Sequence, residues 1–253
     1  MRNSITKNKL LISAIKLVSV VAFCLIVWES LAVAKDNEFV LPRVGTTVNA
    51  LVEIVTDSDF FKIVFATALR VVTGLVLGVA CGISLATICH FLPFINVLVS
   101  PILSIIKATP VASFIVLLWL SLSGDSLTIL IAFLMVLPIV WQNIMDAYST
   151  LPQKLVEVTE VFDVSIGKKI KYLYLPHLFK FLVPAFITSI GLAWKSEIAT
   201  EIIAYTTNSI GQQINNHKQF SETSFVFAWT IIIVIFSIIL ESAAKYLLKR
   251  YIK

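Results

Sequence analysis

The chain has 253 residues, 58% of them hydrophobic and only 14% charged, with a mean hydropathy of +0.93 and a formal net charge of +5. This excludes a soluble globular domain, where charged residues average about a quarter of the sequence, and specifies an all-α polytopic membrane protein. Lys and Arg cluster at the ends of apolar runs, so the positive balance is a matter of membrane topology and not a nucleic-acid footprint. Cys24, Cys81 and Cys89 lie inside apolar runs without metal or disulfide spacing and read as packing or lipid-facing residues.

A basic start with Arg2, Lys7 and Lys9 precedes an apolar run over residues 10–34. A cleaved signal peptide ending at Ala32-Val33-Ala34 is one reading. The other, taken here, is an uncleaved first span over residues 11–33, long enough to cross the hydrocarbon core. Lys16 and Glu29 then snorkel to the head groups. Residues 35–60 are polar and mixed in charge. Within them Thr46 or Thr47 caps a short amphipathic helix on the outer surface, with Val48, Leu51, Val52 and Val55 as its apolar stripe.

The second span covers residues 61–89. Gly74, Gly78 and Gly82 recur every four residues, a small-residue row that lets another helix approach closely. Arg70 needs a partner or a route to the interface. After a turn at residues 90–93 come Pro101 and Pro110, which divide the third apolar run. Residues 97–107 form a half-length helix near the inner face, residues 108–110 a bend, and residues 111–120 the remainder of span three. Either this is a plain proline kink or the broken helix lines a pathway, where protein or water covers the freed backbone.

Residues 124–126 form a turn, and 128–145 a fourth span. The fifth, over residues 181–204, carries Lys195, Glu197 and Glu201. Lys195 and Glu201 are about 240° apart on a helical wheel and cannot pair, whereas Glu197 and Glu201 share a face. These charges either touch a solute or pair with neighbouring helices. An outer loop at residues 205–222, a sixth span over 223–247 and a basic tail at 245–253 complete the chain.

Between spans four and five lies the most hydrophilic stretch, residues 146–180. It holds Glu157 and Glu160, a basic run (Lys168, Lys169, Lys171) and a Leu175-Pro176 stop. On a helix Glu157, Glu160 and Val161 share one surface. Two readings fit: a solvated loop whose lysines fix topology, or a helix held outside the bilayer to be gripped by a soluble partner. With six spans, every Lys and Arg except Lys35, Arg43, Lys62, Arg70, Lys195 and Lys218 falls on the side of the two termini. The positive-inside rule puts that side, and the Glu157 loop, in the cytoplasm.

No catalytic machinery is expected. The only Gly-Lys, Gly167-Lys168, is preceded at P-loop distance by Phe162 and followed by Lys169, so it cannot cradle a nucleotide phosphate. His90, His177 and His217 stand on separate segments and suggest neither a metal site nor a triad. Neither cofactor nor metal is called for.

The stretch from Glu157 to Pro176 resembles the cytoplasmic EAA loop of permease subunits of binding-protein-dependent ABC importers, of the nitrate, sulfonate and taurine type. Glu157 takes the acidic position, Val158-Thr159 stand for the alanines, and Leu173-Tyr174-Leu175-Pro176 supplies the ending. The loop glycine falls on Asp163, with Gly167 four residues later; Asp tolerates the left-handed bend at modest cost. The runs from Ala68 to Ala86, Lys107 to Gly124 and Ala193 to Ala204 are similar to core segments of that family.

The resemblance implies an N-terminal segment at 1–60, a transmembrane core at 61–253 with its coupling loop at 146–180, and a bacterial-type cell membrane. It implies an ABC ATPase, an extracytoplasmic solute-binding protein and a second permease copy as partners, the last forming a homodimer. Glu157, Glu160, Val161, Phe162, Asp163, Gly167, Leu175 and Pro176 become the ATPase-coupling residues. Lys107, Pro110, Lys195 and Glu201 become pathway residues, and the solute a small anion. The rival is a self-sufficient secondary transporter or channel, for which internal repeats and midplane charges are expected.

Overall fold

The computed structural model describes residues 2–248, with side chains at residues 15, 16 and 18–248. The side chains of Arg2, Lys7 and Lys9, and the tail beyond residue 248, lie outside the described residues. Helix dominates throughout. Among the described residues, five helices are long and apolar enough to cross a membrane, and a sixth if one bent pair counts as a single span. The chain divides into two compact units, Met1–Phe60 with Ile214–Ile232, and Phe61–Gln213 with Ile233–Lys253.

In the first unit, α1 (Arg2–Lys35) leads through a short connection to α2 (Val44–Thr56). Trp28 Nε1 donates to the Pro42 carbonyl at 2.9 Å, and the Val44 N–H donates to Glu29 Oε2 at 2.9 Å. Glu29 is thus a remote cap for the first free amide of α2, and not a snorkelling acid as the sequence suggested. The expected caps are inside the helix instead: Thr46 and Thr47 hydroxyls both donate back to Arg43 O. Thr47, Ala50 and Ile54 are buried, while Val48, Val52 and Val55 are exposed.

The second unit is built on α3 (Phe60–Phe91), α4 (Pro93–Ala108), α5 (Val111–Trp119), α6 (Gly124–Ser149) and α9 (Leu175–Ile203). The glycine row does what its spacing predicts. A Cβ on Gly78 would lie 2.7 Å from the Val136 Cβ, and one on Gly74 2.8 Å from the Ile129 carbonyl, so α3 rests directly on α6. On its other side α6 packs extensively against α9. Ile115, Leu127 and Ile131 are fully buried where α5 meets α6, with Ala204 beside them.

Two prolines behave differently from one another. Pro101 stays inside α4, and the helix begins earlier than expected, at Pro93. Pro110 sits at the break, where α4 and α5 bend by 101°. The predicted turn at 124–126 is instead the first turn of α6, and the predicted outer loop at 205–222 contains α10 (Ile210–Gln219). The last helix, α11 (Thr223–Leu248), closes the described chain.

Candidate functional site

The segment between α6 and α9 folds as α7 (Gln153–Val161), a tight turn, α8 (Ile166–Lys169) and a π turn (Ile170–Tyr174) that runs straight into α9. Pro152 precedes α7 with its fixed φ suited to a helix start. At the other end Asp163 has φ +47. Its N–H donates to Glu160 O at 3.0 Å, and the Val164 N–H donates to Thr159 O at 2.9 Å. This pair of bonds around a left-handed residue is a Schellman motif, which satisfies the last carbonyls of α7 and turns the chain sharply. The bend therefore survives on aspartate. Gly167 plays no part in it, since it lies within α8 with open space around its Cα.

Leu175 and Pro176 do not stop a helix, as the sequence suggested; they open α9. The proline lacks the N–H that would bond back one turn, and the wider π turn immediately before it absorbs that loss. Both residues are exposed.

No residue of α7 is buried. The helix is two-faced, but not as periodicity alone indicated. Gln153, Val156, Glu157 and Glu160 line a cavity of about 490 Å³ closed by His90, Tyr148 and Tyr174. Both acids thus face the chain's own wall, where His90 stacks on Tyr148 at 4.1 Å between ring centroids. The Thr87 and Tyr148 hydroxyls lie 3.2 Å apart on the same wall. Val161 does not share the cavity. It belongs instead with an open apolar surface: Leu155 and Val158 are half exposed, Val161 is 81% exposed and Phe162 75%. Sequence reasoning missed Leu155 and Val158 as members of this surface; their spacing of three, with Phe162 four further on, was the available signal.

The four pathway candidates are not brought together. Lys107, exposed near the end of α4, lines a cavity of about 220 Å³ with Thr109, Met135, Pro138 and Leu192. Pro110 is exposed at the bend. Lys195 lines a different cavity, of about 430 Å³, which shares Leu192 as a wall. Glu201 lines neither.

Glu201 is fully buried and structural in its contacts. Its Oε1 accepts from Thr67 Oγ1 at 2.8 Å and Arg70 Nη1 at 3.2 Å, and its Oε2 accepts the Gly211 N–H at 3.1 Å. Arg70 also donates to Asp125 Oδ1 at 2.7 Å and to the carbonyls of Thr207 and Asn208. The cost of a guanidinium in a span is met by two carboxylates and two carbonyls. Of the two readings for the α9 charges, pairing with neighbouring helices holds for Glu201. Gly211 is required here, because a Cβ would lie 2.4 Å from that of Glu201. Ser209 caps α10 by accepting the Gln212 N–H at 2.9 Å, and Asn208 just before it is left-handed, with φ +49.

Comparison with known proteins gives the family and the fold. The family model described as "Binding-protein-dependent transport system inner membrane component" matches residues 74–253. An aliphatic-sulfonates transport permease protein of Bacillus subtilis is 24% identical, covering 85% of this chain and 78% of its own. The taurine transport system permease protein of Escherichia coli is 22% identical, covering 75% and 66%. Among solved structures, an amino acid ABC transporter superposes with a TM-score of 0.61 over 77% of this chain, and an inward-facing methionine ABC transporter with 0.58 over 76%, each at 14% identity.

Proposed function

The chain belongs to the family of binding-protein-dependent transport system inner membrane components, and from that premise we propose that it is the permease half of an importer for a small organic anion, coupled through α7. Membership makes it a multi-pass membrane protein with a separate ATPase partner. It also displaces the self-sufficient transporter as a reading.

The observation that carries the proposal is the open surface of α7. Leu155, Val158, Val161 and Phe162 stand exposed on a hairpin that the Asp163 Schellman motif fixes in shape. An apolar patch on a helix outside the bilayer favours burial against a protein, at about 1.5–3 kcal/mol for a side chain the size of phenylalanine. Glu157 and Glu160 act from behind, setting α7 against the wall of His90 and Tyr148. Leu175, Pro176 and the π turn join the hairpin rigidly to α9, so a displacement of α7 is carried into a span. Gly167 contributes only an unobstructed surface. ATP-driven movement of the partner would then bias the permease between two states by differential contacts.

An anionic, sulfonate-like solute is supported by the names of two relatives and by an unbalanced lysine described below. The exposed apolar faces of α4 and α5 suit a second copy of the chain, hence a homodimer. An extracytoplasmic solute-binding protein delivers the solute from the opposite side. Both termini and α7 lie in the cytoplasm of a bacterial-type inner membrane, as the distribution of Lys and Arg supports.

Coupling is tested with Phe162→Ala in vesicles containing permease, ATPase and binding protein. Truncating such an anchor costs about 2 kcal/mol at an interface, so solute moved per ATP hydrolysed is expected to fall severalfold. An unchanged ratio would remove Phe162 from the coupling surface.

A further inference from the structure

The cavity at Lys195 carries a charge imbalance with a specific geometry. Thr188, Gly191 and Lys195 lie three and four residues apart on one stripe of α9, facing Glu241 and Lys245 of α11. Gly191 makes the notch: a Cβ there would sit 2.5 Å from Glu241 Oε1, so only glycine lets that carboxylate rest against α9. Glu241 is already balanced, since its Oε2 lies 3.5 Å from Lys245 Nζ one turn along the same helix. Lys195 is exposed and has no ion-pair partner among the described residues. The cavity therefore holds two ammonium groups and one carboxylate, a surplus of one positive charge.

An uncompensated ammonium within a span is costly unless water or a counter-charge reaches it. Arg70 shows that this chain supplies two carboxylates, one of them fully buried, where a cation is only structural. At Lys195 it supplies an open cavity of about 430 Å³ with Ile187 and Leu192 as apolar walls. That volume and lining suit a small ligand with one charged end and a short hydrocarbon body.

We propose that this notch between α9 and α11 binds the oxyanion head of a small organic solute, with the Lys195 ammonium as its counter-charge and the Gly191–Glu241 contact fixing the depth of the site. The proposal rests on the importer reading above and adds the contact point to it. The same chemistry would be met by the head group of an anionic phospholipid, so the test separates the two sources.

The complex of permease and ATPase is placed in nanodiscs of phosphatidylcholine alone, and acylation of each lysine is followed by peptide mass spectrometry while ethanesulfonate is titrated. Lys195 should be protected with a saturable dependence, about tenfold at ten times the apparent Kd, while Lys171 in the loop is unaffected. Gly191→Ala, which displaces the Glu241 carboxylate, should weaken that protection; Lys195→Gln should raise the KM for uptake, and Lys195→Arg should largely restore it. Protection that appears only when phosphatidylglycerol is added makes the ligand a lipid head group and overturns the solute assignment. No protection by either overturns the site. Copurifying ATPase is quantified in the same sample: its presence alongside an unprotected Lys195 rejects the site alone, whereas its absence rejects the importer reading.

Discussion

Arg70 and Glu201 illustrate how one residue's role depends on what surrounds it. Removing one member of a buried ion pair strands the other, at a cost of about 3–5 kcal/mol, whereas replacing both with apolar groups is often near neutral. Arg70→Met should therefore destabilise the protein by several kcal/mol, and Arg70→Met with Glu201→Leu should recover most of that loss. Thermal unfolding in a fixed detergent checks this through the double-mutant cycle. Equal, additive losses would mean that the pair is not coupled. That Arg70 must find a partner was legible from its place in an apolar run. Which partners it finds was not, because Asp125, Glu201 and the carbonyls of Thr207 and Asn208 come from three distant stretches. Asp163 was legible for the opposite reason. Its left-handed φ is a local property of the turn, and the residue type already permits it.

At the scale of elements, the glycine row of α3 is the clearest case of spacing translated into packing. Gly78→Leu would force a side chain into the space held by Val136. Overpacking of this kind costs about 1–3 kcal/mol, and between α3 and α6 it should lower thermal stability and loosen the α6–α9 pair that α6 supports. Gly45→Leu, where nothing lies within 4 Å of the added Cβ, is the control and should be near neutral. A Gly78→Leu protein as stable as wild type would contradict the close α3–α6 contact.

The elements also mark where periodicity stops being informative. In α2 the apolar stripe of Val48, Val52 and Val55 is exposed, and in α7 the two acids turn towards the protein while Val158 and Phe162 turn away. Period tells which residues share a face; it does not tell which face meets a neighbour. In a membrane protein a lipid-facing or partner-facing stripe is as apolar as a core-facing one, so the usual inference from apolar to inward fails. Pro176 was misread similarly. A proline ends a helix unless the preceding turn has widened, and the π turn at Ile170–Tyr174 leaves no simple mark in the sequence.

For the whole molecule, the helical multi-pass character and the family follow from hydropathy and from the loop between Glu157 and Pro176, both of which are local. What joins them into a device is the continuous path from α7 through the π turn into α9, and along α9 past Lys195 to the Glu201 network. A single helix thus connects the α7 hairpin, proposed above as the coupling surface, with the notch at Gly191 and the buried clamp on Arg70. Under the proposed coupling, motion delivered at Phe162 would have a continuous helical route into α9, and a solute at Lys195 would lie beside it.

The most direct test is copurification of an ATPase with the tagged permease from its native membrane, comparing wild type with Val158→Asp. A charge at the centre of the exposed α7 surface must be desolvated on docking, and Val158 touches none of the cavity that Glu157 and Glu160 line. The wild-type protein should bring down an ATPase subunit, and Val158→Asp should reduce its amount by about tenfold, which corresponds to about 1.4 kcal/mol. An ATPase missing from the wild-type sample, or retained undiminished by Val158→Asp, would contradict coupling through α7.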